Sequence, residues 1–138
     1  MSDRRVVITG LGAVSPVGIG KDSFWDSLTN GKSGIDYITK FDTDNFDVKI
    51  GAEVKDFDPT LYMDKKEAKR MDLFTQYAVA GTYLAFKDAS LSPDELDSNR
   101  TGIIIGSGIG GISTFETEKE KLMAKGPSRV SPFFIPMM

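Results

Sequence analysis

Thr101-Gly102-Ile103-Ile104-Ile105-Gly106-Ser107-Gly108-Ile109-Gly110-Gly111 leads straight into Ile112–Lys125. The run Thr101–Ile105 is apolar on both faces, which predicts a buried strand of a parallel sheet. The glycines after it predict a tight turn or a close backbone approach. Ile112–Lys125 then reads as an amphipathic helix, with Phe115 and Leu122 inward and Glu116, Glu118, Lys119, Glu120 and Lys121 in solvent. The same order opens the chain. Val6-Val7-Ile8-Thr9 is a second buried-strand pattern, closed by Gly10-Leu11-Gly12. A helix follows, with Phe24, Trp25 and Leu28 on one face, Ser23 and Asp26 near capping-box spacing, and Asn30-Gly31 as its end. Strands alternating with helices predict an α/β fold with right-handed crossovers and at least part of its sheet parallel.

Between these blocks, residues 36–47 are polar and turn-rich and read as loop. Val48, Ile50, Ala52 and Val54 alternate with Lys49, Gly51, Glu53 and Lys55, a period of two that predicts a half-buried strand. Asp64 and Glu67 are spaced to cap a basic helical turn, Lys65 to Arg70. Asp72 begins the longest helix, which runs to about Ala89 and carries small residues on nearly every face, so neighbours pack closely on it. Ser92-Pro93-Asp94-Glu95 is a capping box with Pro at the first helical position, which starts a short helix.

With 138 residues one domain is the expectation. Hydrophobic residues at 40% and charged residues at 27% describe a globular chain rather than a disordered one. A net charge of −3 provides no global basic field for nucleic acid, so a charged partner has to meet a local patch. The chain holds no cysteine and no histidine. That excludes disulfides, thiolate metal sites and every Ser-His or Cys-His nucleophile pair within it, and carboxylates alone are a poor zinc set. Met1-Ser2-Asp3-Arg4-Arg5 does not read as a signal peptide, since it runs directly into a short apolar strand pattern, and no apolar run reaches the roughly 18 residues of a membrane span. The expectation is a cytoplasmic protein without nucleic-acid or membrane partners. The apolar tail Ser131-Pro132-Phe133-Phe134-Ile135-Pro136-Met137-Met138 needs cover, from a second chain or from a missing C-terminal half.

Several short motifs fail on their chemistry. Gly106-x-Gly108-x-x-Gly111 matches a dinucleotide fingerprint, but the acidic residue expected about 20 positions on is replaced by Ser131-Pro132-Phe133. Gly10-x-Gly12 has Ser15 where its third glycine should fall, and Gly31-Lys32-Ser33 lacks the first glycine of a phosphate loop and follows a helix. Asp42, Asp44 and Glu53 sit at calcium-loop positions, yet Phe46 and Asp47 replace an oxygen ligand and the turn glycine. Ser107 has Ile105 where a nucleophile elbow needs glycine, and no histidine to activate it.

Arg4-Arg5-Val6-Val7-Ile8-Thr9-Gly10-Leu11-Gly12-Ala13-Val14-Ser15-Pro16-Val17-Gly18 resembles the opening strand and turn of the β-ketoacyl-[acyl carrier protein] synthases. Gly31-Lys32-Ser33-Gly34-Ile35, Arg70-Met71-Asp72, Ile105 to Gly111 and Ser131-Pro132-Phe133-Phe134-Ile135-Pro136 continue the resemblance in the family's order, and the last points to its elongating type II branch. The resemblance implies a thiolase-like fold, two similar βαβαβ halves stacked as α-β-α-β-α layers. Residues 1–138 would be most of the first half, the N-terminal part of a condensing-enzyme domain that is incomplete without its C-terminal remainder.

It further implies a homodimer and a decarboxylative Claisen condensation of acyl and malonyl groups borne by acyl carrier protein. The family's cysteine nucleophile and two histidines have no counterpart in this chain, so residues 1–138 alone are expected to be inactive and no cofactor is expected. Ile109 matches the residue that gates the acyl channel, and Phe134 the aromatic that closes the partner subunit's channel. Lys66, Lys69 and Arg70 match the docking patch for acidic carrier protein, and Arg129 a second basic site, while Ser128 stands where the family is often basic. Three alternatives stand beside it: a non-catalytic subunit resembling a chain-length factor, a dinucleotide-binding α/β module, and a thiolase using coenzyme A, which would not need the Lys66-to-Arg70 patch.

Overall fold

The computed structural model describes residues 4–138, which divide into two compact units. One runs to Phe57 and takes in Gly81–Glu95; the other comprises Asp58–Ala80 and Leu96–Met138.

In the first unit, β1 (Val14–Ser15) and β2 (Gly18–Ile19) form a tight antiparallel pair, with Val14 opposite Ile19. The Ser15 hydroxyl closes the turn, donating to the Gly18 carbonyl at 3.0 Å and accepting from the Val17 N–H at 3.3 Å. Helix α1 (Lys21–Thr29) follows and ends at Asn30, with Gly31 at φ +65°, as the Asn-Gly pair predicts. Its start differs from the expected Ser23 box. The helix begins directly after Gly20, with no side-chain cap, because the β1–β2 turn already delivers the chain to Lys21. Strands β3 (Ile35–Tyr37) and β4 (Ile50–Ala52) pair antiparallel, Ile35 with Ala52 and Tyr37 with Ile50. The expected strand is present only over Ile50–Ala52, with Ile50 and Ala52 exposed rather than half-buried, and its ladder claims the first residues of the expected loop. Glu53 then fastens the bend: its carboxylate accepts the Thr39 N–H at 3.1 Å, the Thr39 hydroxyl at 2.8 Å and the Lys40 N–H at 3.2 Å.

The C-terminal half of α3 (Leu73–Asp88) holds the opening run in place. A Cβ added at Gly12 would overlap the Gly81 carbonyl, so glycine there lets the backbone lie directly on the helix. One turn further, Asp88 accepts the Leu11 N–H at 2.9 Å and pairs with Lys21 at 3.2 Å.

The second unit contains α2 (Lys65–Ala68), the first half of α3, α4 (Ile112–Lys125) and α5 (Phe134–Met137). Helix α3 starts one residue after Asp72, as read from the sequence, and Ala80 within it is completely buried. In the first unit, Ser92 and Glu95 make one bond of their box, Glu95 accepting the Ser92 N–H at 2.9 Å; the Ser92 hydroxyl accepts instead from the Asp94 N–H at 3.4 Å, and the pair closes only a single 3-10 turn.

Two expectations are overturned. Neither Val6–Thr9 nor Thr101–Ile105 forms a ladder among the described residues, and Val6 is 92% and Ile104 100% exposed. A parallel strand needs hydrogen-bonding neighbours and a cover on both faces, and neither run has them here. Helix α4 is also turned about its axis. It buries Thr114 and Glu118 and leaves Phe115 and Leu122 exposed, because the chain after Gly126 folds back onto the side of the helix that bears the acid. Among the described residues the buried apolar side chains are Ala68 and Ala80.

Candidate functional site

The basic turn α2 is set by Asp64, whose carboxylate accepts the Lys66 N–H at 2.7 Å. Ala68 is buried, and the Gln76 side chain donates to the Ala68 and Met71 carbonyls at 3.0 Å, closing the end of α2 onto α3. Lys66, Lys69 and Arg70 are left exposed on this fixed turn. Arg70 goes further: its guanidinium lies 4.5 Å from the centre of the Phe133 ring, a cation–π contact that joins the turn to the apolar tail. Arg129 is exposed on the 3-10 turn Pro127–Arg129 and, with Lys121 and Lys125, lines an open depression of about 600 Å³. The four basic residues singled out from sequence are therefore all solvent-facing in one compact unit.

The apolar pair is divided. Phe134 is half-buried, its ring tilted 39° against Phe115 at 6.1 Å. Ile109 is 76% exposed, so in this chain alone it walls no enclosed space. Their segments nevertheless meet: a Cβ at Gly111 would come within 2.9 Å of the Met138 Cα, so glycine lets the turn sit against the end of α5.

The groups that hold this site together were read from sequence only as a helix start, Asp72, and as a solvated acid, Glu118, and the second reading is overturned by its burial. Asp72 is a buried junction. Its N–H donates to the Met137 carbonyl at 3.1 Å, and its carboxylate accepts the Thr114 N–H at 2.8 Å in the first turn of α4. Glu118, only 4% exposed, accepts the Ser131 N–H at 2.6 Å and the Lys121 ammonium at 2.6 Å. The Lys121 hydrogen bond, then the Ser131 N–H, hold its carboxyl below the usual range. The one cue lay in Ser131-Pro132, a turn whose free N–H needs an acceptor from another element.

Helices around glycine turns, an exposed basic face and an apolar tail make up an α/β chain whose Cα path is found again in solved ketosynthases. A structure described as the ishigamide ketosynthase/chain length factor is 34% identical, with a TM-score of 0.84 over 95% of this chain and 33% of its own. Residues 3–138 match the family model for the β-ketoacyl synthase N-terminal domain, so the chain belongs to that family. It is 50% identical over 136 residues to 3-oxoacyl-[acyl-carrier-protein] synthase 2 of Staphylococcus aureus strain COL, which covers 99% of this chain and 33% of that protein. It is 47% identical over 138 residues to the protein of the same name from Synechocystis. The chain thus spans about a third of the length of the curated relatives it matches. The fold is thiolase-like in path. Among the described residues no helix is long and apolar enough to cross a membrane.

Proposed function

We propose that residues 1–138 are the N-terminal part of a cytoplasmic, homodimeric 3-oxoacyl-[acyl-carrier-protein] synthase, incomplete as a domain without its C-terminal remainder. One observation carries this reading: the likeness, over 99% or more of this chain, to a third of the length of relatives that bear that name. In the complete protein a cysteine would accept the acyl group, malonyl-carrier protein would lose carbon dioxide, and the resulting carbanion would attack the thioester. A helix N-terminus lowers a thiol's pKa and backbone amides stabilise an oxyanion. None of those reacting groups is in this chain, which holds neither cysteine nor histidine. Its contribution is scaffold, dimer contacts, pocket wall at Ile109 and Phe134, and landing surface at Lys66, Lys69, Arg70 and Arg129.

Exposure of the last four within one compact unit supports the docking role, since complementary charge speeds encounter with an acidic carrier and fixes register. The test is the double reversal Lys69→Glu, Arg70→Glu in the complete enzyme. KM for carrier-borne substrate should rise about tenfold at low salt while coenzyme A thioesters are used as before; unchanged carrier kinetics would remove the docking role. A second reading, a subunit resembling a chain-length factor, draws on the likeness to an assembly that contains one. It predicts a complete protein that lacks the cysteine, so alkylation by iodoacetamide separates the two.

A further inference from the structure

We infer that Glu118 is a positioning residue for acyl-length selection: its carboxylate, held by Lys121, sets the place of the Phe134 ring through Ser131. The inference rests on the reading of Phe134 as a pocket wall. Ser131 uses all three of its polar groups locally. Its N–H donates to Glu118 at 2.6 Å, its hydroxyl accepts the Phe133 N–H at 3.1 Å, and its carbonyl accepts the Phe134 N–H at 3.0 Å. A displacement of Ser131 therefore moves both phenylalanines. The Phe134 ring rests on Phe115, one turn before Glu118 on the same helix, and the far end of the tail is fixed by the Asp72–Met137 bond. The tail is thus bound at both ends, at its start by the ion-paired carboxylate and at its end by Asp72.

The readout is the ratio of kcat/KM for a long against a short acyl-carrier substrate in the complete enzyme. Glu118→Ala should shift that ratio by about fivefold or more, leaving kcat on the short substrate nearly unchanged. Glu118→Gln, whose amide carbonyl still accepts the Ser131 N–H, should stay within about twofold of the parent. Gln behaving like Ala would overturn the positioning role through Ser131. Phe134→Ala is the control for the pocket reading. If it shifts the ratio and Glu118→Ala does not, the inference is wrong and the pocket stands; if neither shifts it, the pocket reading falls and the inference with it. Should Glu118→Ala not fold, Glu118→Asp must move the ratio in the same direction, and an unmoved ratio overturns the proposal.

Discussion

Asp88 and Glu118 each tie a distant backbone N–H to a helix, and both carboxyls titrate below their usual range. For Asp88 the Leu11 N–H is the main cause, with Lys21 adding to it; for Glu118 it is Lys121, then Ser131. A carboxyl depressed in the folded state stabilises fully above its unfolded pKa, and that stabilisation is lost as pH falls through the folded value. The parent protein should therefore lose stability below the ordinary values of 3.8 for Asp and 4.5 for Glu. Urea midpoints of Asp88→Asn measured from neutral to acid pH should fall less steeply than the parent's. Equal slopes would show that Asp88 carries no such linkage. Close approach gives a second expectation at this scale. Gly12→Ala should cost about 1–3 kcal/mol by pressing on the Gly81 carbonyl. Gly102→Ala, with nothing within 4 Å of the new methyl, is the control, and equal midpoints would refute the contact.

Elements whose signal is local were legible in the sequence. Asn30-Gly31, Asp64 and Asp72 mark real helix ends, and Ile112–Lys125 is helical over the stretch read as such. The face of that helix was not legible, because Glu118 in the run Glu116–Lys121 looks like any solvated acid until Ser131 is placed beside it. Strands failed differently. Val6–Thr9 and Thr101–Ile105 have the composition of buried strands, but a ladder is a property of neighbours rather than of the run. The basic positions were legible only as a resemblance; charge alone does not single out Lys66 or Arg129, and the Arg70–Phe133 contact left no mark in the sequence. In the complete protein, amides of both apolar runs should exchange with solvent slowly, as laddered strands do. Exchange as fast as in an unfolded peptide would show that neither run joins a sheet.

Val6, Val7, Ile8, Ile103, Ile104 and Ile105 are each more than half exposed among the described residues. Fully burying one such side chain is worth about 1.5–3 kcal/mol, so six of them form a large unmet drive toward cover. The chain matches a third of its relatives' length, and its strand-like runs are bare. The fold class and family were within reach of the sequence because five motif blocks follow one order. No cysteine or histidine is present from which a nucleophile could have been read. Condensation assayed with acyl- and malonyl-carrier protein, for the complete protein and for residues 1–138 side by side, tests this most directly. The complete protein should release carbon dioxide and form the 3-oxoacyl product, and the shorter chain should form none. Product from residues 1–138 alone, or a complete protein that binds both substrates with an intact thiol yet condenses nothing, would contradict it.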